Sequence, residues 1–523
     1  MKSIFRTYSD LIFYIILAFS LMTISWGNFL ITLSTILFVV YLIFDGRYVE
    51  KLFILIHNKS AVCFLIVVLL IFIRFTFQLP DDEAVFYIVK YFPMLVFVLA
   101  LGSHGELSQN QFHSLALLFI MSMCVNSLYC SFNYFVLLGD NVDIRTISPF
   151  MSYNRFGGYC LLAWTMCVHY VFFENRIAVG RREKMFLLAV MVWLSMFVIF
   201  MQSFSVYIAF AILLCIFCYI YLGKTSNRTL KIIVTTVLII GALASGFIVY
   251  SEARYFIYTD DVDVEQLPRR TSHNGLYEIP GTLYSPENGH WTNVNVCREE
   301  LDSCWRNTFG FSVYETDEVG NIYLYTLCRY MASKNLNKDA DGFAQLDLED
   351  LELVKQGFTN YRFTDKKNPR KRIYETCWEL HDYYNGGNAD SHSIAQRFEF
   401  MKCALQTLCE HPYVGYGTDV QTAMNANYER SNTGLSREHW GLPHNQFLMM
   451  GLMTGIFGMM LFIVCFIASY IFSTSRRTLI TTGWFAACFV ISCAENILTT
   501  SAGAAYYVFM GTVLLVLQPS AKD

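Results

Sequence analysis

Apolar residues in this chain gather into long continuous runs instead of alternating with polar ones. Each run is about 17–25 residues long, the length an α-helix needs to cross a hydrocarbon core. The lack of alternation argues for helices and against a β-barrel. About twelve spans are predicted, at 8–26, 28–44, 61–77, 84–101, 112–138, 158–173, 185–201, 204–222, 232–250, 446–471, 479–495 and 499–517. Between the ninth and tenth, from 251 to about 440, charges, Asn, Gly and Tyr recur throughout. The pattern predicts an all-α polytopic membrane protein in three parts: a nine-helix region over 1–250, a large loop domain over 251–442 and a three-helix region over 443–523.

Composition agrees with that class. Of 523 residues 55% are hydrophobic and 15% charged, where a soluble domain carries about 25% charged residues. Mean hydropathy is +0.39. The net charge of -4 says little; the placement of Lys and Arg says more, because cytoplasmic loops are enriched in both. Lys2 and Arg6 precede span one. Arg47, Lys51 and Lys59 lie between spans two and three; Arg176, Arg181, Arg182 and Lys184 between six and seven; Lys224, Arg228 and Lys231 between eight and nine; Arg476 and Arg477 between ten and eleven. All fall on one side if both termini are cytoplasmic, and the loop domain is then external. In that arrangement Gln202, Ser203 and Ser205 form the external turn of the hairpin 185–222. The first apolar run lacks a small-residue cleavage site, so no cleavable leader is expected, nor does either end carry a lipidation motif.

The loop is long enough to fold. Leu346 to Gly357 reads as a short amphipathic helix ending at Gly. Six cysteines fall in the loop, and in an oxidising compartment Cys297, Cys304, Cys328 and Cys377 are candidates for one or two disulfides, free buried thiols being the alternative. Neither an internal repeat nor a zinc-like spacing of His and Cys is present.

The chemistry concentrates where the loop returns to the membrane. Arg397 opens a helical stretch, Pro412, Gly415 and Gly417 form a tight turn, and a polar segment follows with Tyr428, Arg430 and Arg437. Pro443-His444-Asn445 comes next, then nine residues, then Gly455 and Gly458 inside span ten. His444 sits at the boundary of water and lipid headgroups, where a neutral imidazole can take a proton from a sugar hydroxyl. The plain alternatives are an interfacial His at a helix start and glycines that let helices pack closely.

The pattern His-Asn, nine residues, Gly, two residues, Gly resembles the signature of bacterial O-antigen ligases and the related polymerases. Arg397 followed by the P-x-x-G-x-G turn is similar to that family's pattern too, as is Asn154 with Gly157 at the start of span six and the position of the largest loop. The motif resemblance covers 397–458. It implies a glycosyltransferase of the bacterial inner membrane that takes a glycan from undecaprenyl diphosphate at the periplasmic face and inverts the anomeric centre, without metal or other cofactor. It implies His444 as base on the acceptor hydroxyl and arginines on the diphosphate. Arg suits that role because its planar fork gives two parallel bonds to phosphate oxygens. Candidate cations are Arg397, Arg155, Arg74 and Lys90; the last two lie within spans, where charge is costly and functional by default unless it snorkels. Asn445, Asn154, Glu495 and Arg437 are candidate supporting residues, Glu495 being the one carboxylate in the last two spans. His169 and His57 are read as structural. One departure stands out: many ligases carry Ser-Arg-Gly at the turn between spans seven and eight, where this chain has Gln202-Ser203-Phe204-Ser205. Arg74 and Arg155 are the candidate replacements.

The expected partners are a lipid-diphosphate-linked glycan, membrane lipids and an acceptor, with no nucleic acid. The acceptor is a lipid A-core sugar in a ligase, another lipid-linked repeat in a polymerase and a protein hydroxyl in a third member type. A flippase or transporter without chemistry is the reading from another class. The nine-plus-three division and the missing internal halves argue against it.

Overall fold

The computed structural model describes residues 8–138, 144–283, 285–317, 320–364, 368–387, 389–390, 392–431, 433–475 and 478–519. Lys2, Arg6, Arg476 and Arg477, used above for orientation, lie outside the described residues. The described residues are mostly helical, with almost no strand among them.

In order the helices are α1 (Ser9–Thr23), α2 (Asn28–Asp45), α3 (Tyr48–His57), α4 (Lys59–Thr76), α5 (Asp82–Gly102), α6 (Gln109–Phe132), α7 (Tyr153–Phe172), α8 (Arg181–Phe200), α9 (Phe204–Lys224) and α10 (Arg228–Ile257). Then come α11 (Arg298–Phe309), α12 (Tyr323–Ser333), α13 (Leu348–Lys355), α14 (Pro369–Tyr384), α15 (Ser393–Glu410), α16 (Val420–Ser431), α17 (Gln446–Phe472), α18 (Leu479–Ala494) and α19 (Ser501–Leu517). Among the described residues eight helices are long and apolar enough to cross a membrane: α2, α4, α5, α6, α8, α9, α10 and α17. Shorter apolar helices are α1, α18 and α19. Asn154, Arg155 and His169 lower the apolarity of α7, yet nearly all of its residues are buried, as expected of a helix enclosed by other helices.

Two elements differ from the sequence reading. The basic stretch after span two contains α3, a short helix whose Val49, Leu52, Phe53 and Ile56 are exposed. Helix α10 runs past residue 250, because its last turns hold Glu252, a fully buried carboxylate that accepts from Arg362 Nη2 at 3.0 Å.

The chain divides into two compact units. The first comprises Met1–Ser226, Glu399–Thr433 and Trp440–Asp523. In it α17 packs along α4, and α7 packs along both α8 and α18. Small residues set these approaches. A Cβ on Gly157 would stand 2.5 Å from Val206 of α9, and one on Gly158 would stand 2.8 Å from Ile491 of α18. An aromatic cluster of Phe64, Phe466, Trp484 and Tyr507 fills the interior between α4, α17, α18 and α19.

The second unit comprises Asn227–Phe398 and Gly434–His439. Its core gathers Leu301 and Trp305 of α11, Leu324, Leu327 and Met331 of α12, and Leu351 and Val354 of α13. Helix α13 is the amphipathic helix read from the sequence: Asp347 and Asp350 close a capping box at its start, and Gly357 follows its end. A two-stranded hairpin pairs Pro286–Glu287 with His290–Trp291. The candidate disulfide partners Cys297, Cys304, Cys328 and Cys377 are free thiols, and burial pushes each of them up, Cys328 to about 11.

Candidate functional site

The first unit assembles the site from four chain segments. Helix α17 begins at Asn445, whose side-chain oxygen accepts from the backbone of Phe447 and Leu448, both at 3.0 Å. This satisfies two of the donors that every helix start leaves open. Asn445 also donates to Cys493 O at 3.3 Å, and its own N–H donates to Asn496 Oδ1 at 3.0 Å. The Asn of the His-Asn pair thus fastens the start of α17 to the end of α18 on both sides of Glu495. Its neighbour His444 is thereby held with Nδ1 3.6 Å from Glu495 Oε2. The imidazole lies roughly parallel to the Phe400 ring, with centroids 5.9 Å apart, and remains partly exposed at 39%.

Glu495 is buried, and every group around it explains why a carboxylate is tolerated there. Asn154 Nδ2 donates to Oε1 at 2.5 Å, and Arg155 Nη2 lies 3.9 Å from Oε2. Asn154 is oriented in turn by Ser203 and Ser205, whose hydroxyls donate to its Oδ1 at 2.5 and 3.3 Å. The Asn-x-x-Gly pattern has a physical reading: Gly157 lets the first turn of α7 meet α9 at Val206, which brings Asn154 under the Ser203 turn. Ser203 also caps α9, and Gln202 turns the chain with φ +50. The turn that lacks the family arginine therefore contributes hydroxyls to the same network.

Cations stand beside this pair. Arg155 Nε is buried and has no hydrogen-bond partner among the described residues. Lys90 is close enough for its charge and that of Arg155 to repel, and its ammonium lies 5.1 Å from the Tyr87 ring centre. Two like charges held together with an unused donor form an arrangement that an anion would relieve. Arg74 is placed differently: its Nε donates to Val414 O at 3.3 Å and its Nη2 to Gly415 O at 3.2 Å.

Those carbonyls belong to the P-x-x-G-x-G turn, which plugs a break in α17. Gly455 has φ +76 and ψ 176, so α17 is interrupted there. The backbone groups freed by the break are taken up by the turn: Tyr416 N donates to Leu452 O at 2.7 Å, Gly417 N to Met453 O at 2.9 Å, and Ile456 N to Pro412 O at 2.7 Å. Gln78 closes the other side, donating to Tyr416 O at 3.1 Å and accepting from Thr418 N at 2.9 Å. Irregular backbone inside a membrane segment persists only when protein satisfies it in this way.

Arg397 on α15 and Arg437 in a 3-10 turn fall within the second unit. Arg397 is partly buried and Arg437 exposed. Sequence reasoning brought His444, Asn445, Asn154, Arg155 and Glu495 into consideration separately. It missed the Ser203 and Ser205 support, the Phe400 ring and the Gln78 clamp. Only the first of these had a signal, the polar cluster at an otherwise apolar hairpin.

Part of the chain resembles a known family. Residues 351–463 match the O-antigen ligase family. The matched O-antigen ligase segment contains α15, the turn, His444 and the broken part of α17, and it spans the 397–458 motif read from the sequence. Members of that family are ligase- and polymerase-type glycosyltransferases. Arg74, Lys90, Arg155 and Glu495 lie outside the matched O-antigen ligase residues. No curated protein matches the chain.

Proposed function

We propose that the protein transfers a glycan from undecaprenyl diphosphate to an acceptor hydroxyl at the periplasmic face of a bacterial inner membrane, in the manner of an O-antigen ligase. The observation that carries the reading is the His444–Glu495–Arg155 grouping at the start of a membrane helix, within and beside the O-antigen ligase match. Twelve spans with both termini cytoplasmic complete it, the loop domain facing the periplasm.

In this mechanism Glu495 faces Nδ1 of His444, so that the proton rests on Nδ1 and the Nε2 lone pair is free. Nε2 takes the proton of the acceptor hydroxyl as its oxygen attacks the anomeric carbon from the face opposite the diphosphate. The bond to the lipid diphosphate breaks with its electron pair, and the anomeric centre inverts. Negative charge grows on the leaving oxygens, and Arg155, beside Glu495, and Lys90, within reach of the Arg155 charge, are the cations that would meet it. Arg397 and Arg437 are carried as diphosphate-binding and supporting residues on the family resemblance alone. No metal or other cofactor takes part. The acceptor is a lipid A-core sugar, and polymerisation of lipid-linked repeats is the second reading, favoured by the same match.

The test is His444→Ala in cells lacking the native protein, with surface glycan resolved by electrophoresis. A loss of transfer of about 100-fold or more is expected with unchanged protein level in the membrane. Normal glycan transfer in that variant refutes the mechanism. Unattached full-length polymer marks a ligase, and truncation to single repeats marks a polymerase.

A further inference from the structure

The second unit contains a cavity of about 440 Å³, lined mostly by residues that precede the O-antigen ligase match, with Trp378 inside it. We propose that this cavity binds sugar rings of a neutral oligosaccharide, and the inference rests on the glycosyltransferase reading above. Its size falls among small-ligand clefts, about 300–1,000 Å³.

The lining says which chemistry fits. Trp378 and Tyr325 provide aromatic surface, and Tyr325 is 55% exposed. The C–H face of a pyranose packs on such rings while its hydroxyls point outward. The Trp378 ring is fixed from one side by Arg329, whose guanidinium carbon lies 4.1 Å from the ring centre. Arg329 is immobilised by Glu287 at 2.6 Å, itself fully buried and bonded to Tyr374 at 2.8 Å and Asn360 at 2.9 Å. The platform is therefore rigid before any ligand arrives, which lowers the entropy cost of binding.

Charge balance selects a neutral ligand. Both guanidinium groups of the lining already hold a carboxylate at 2.6 Å, Arg298 on Glu278 and Arg329 on Glu287. An anionic ligand would have to displace one of these carboxylates, whereas hydroxyls can share their remaining donors and acceptors. The opposite wall is coil near Thr282, pinned where Asn293 donates to Thr282 O at 2.7 Å. Its backbone offers further hydrogen-bonding groups, as oligosaccharide sites require.

The experiment uses the full-length protein in lipid nanodiscs. The probe is the neutral oligosaccharide released by mild acid from the surface glycan of the producing cells. Saturation-transfer NMR and calorimetry should detect binding to the wild type and to His444→Ala. Tyr325→Ala should weaken it by about tenfold, the loss of one stacked ring, and Glu278→Gln is the second variant. In transfer assays the Tyr325→Ala protein should keep kcat and raise KM, for the lipid-linked donor if the rings come from the donor and for the acceptor if they come from that side. No binding to the wild type, equal binding by both variants, or unchanged KM for both substrates overturns the proposal. Binding with normal transfer by His444→Ala would instead leave the cavity assigned and remove the proposed mechanism.

Discussion

At the scale of single residues, Glu495 is the group whose burial needs a reason. A carboxylate at 7% exposure is costly unless charges and donors repay the lost water. Here Asn154 supplies a hydrogen bond, Arg155 a cation and His444 a ring that the proposed mechanism makes cationic during transfer. In the proposed mechanism Glu495 acts through His444, as a positioning residue. Glu495→Gln keeps the shape and removes the charge. It should lower kcat by about 10–100-fold with little change in KM. An unchanged kcat, or a rise in KM alone, would reduce Glu495 to a packing role. Lys338 in the second unit shows the opposite balance. Burial pushes its ammonium down to about 8, with Cys328, Asp260 and Asp339 pulling it back, and its Nζ donates to Trp291 O at 2.8 Å. The ordinary value is 10.5, so between about 8 and 10.5 the unfolded chain holds more protons and stability rises with pH. Below about 8 the cost of the buried charge is present in full. Across that window the gain is about 3 kcal/mol. Lys338→Met should flatten the rise when unfolding of the purified protein is followed at several pH values, and an equal rise in the variant would contradict this account.

At the scale of elements, the broken helix α17 and the turn that plugs it act as one piece. A Cβ on Gly455 would stand 2.2 Å from Tyr413 O, and one on Gly415 would stand 2.6 Å from Gly455 N. Both positions also have φ near +70, which L side chains rarely adopt. Gly455→Ala should therefore expel the turn and strand the carbonyls of Leu452 and Met453. The expected cost is above about 4 kcal/mol, in the range of strain combined with unsatisfied backbone. It should appear as loss of folded protein in detergent, whereas Gly434→Ala, at an open position, should be silent. A stable Gly455→Ala protein would mean that the break is not needed. Gly415 was read as part of a tight turn, whereas Gly455 was visible only with Gly458, as a family signature or as close packing, the role any glycine in a span can have. Helical runs were legible because length and continuous apolarity are local properties: the hairpin α8–α9 turns at Gln202, as its polar cluster implied. Partners hundreds of residues apart were not. Asn154 meets Glu495 across 341 positions, and Arg74, read from its depth as a cation for phosphate, spends two donors on Val414 and Gly415 of the turn. Periodicity shows which face of a helix is apolar, and leaves open which distant loop will satisfy a polar atom on it.

At the scale of the molecule, the proposed chemistry depends on which side of the membrane His444 faces. Within the first unit, Arg47 and Lys51 gather on Asp45 at the end of α2. Arg181, Arg182 and Lys184 open α8, and Lys224 closes α9. The hairpin α8–α9 sends its basic ends to one side and its turn, with Ser203 and Ser205, to the other. The turn contacts Asn154 and, through it, Glu495 and His444. The positive-inside tendency therefore predicts the basic ends in the cytoplasm and the His444 end outside. Alkaline phosphatase is active only after export, so the inference is directly measurable. Fusion after Glu265 should be active, fusion after Arg182 inactive, and a cytoplasmic reporter at the same two points should give the reverse. Activity after Arg182 with silence after Glu265 would turn the protein over. The base would then face the cytosol, where no exported lipid-linked glycan waits, and the transfer mechanism would fall with it.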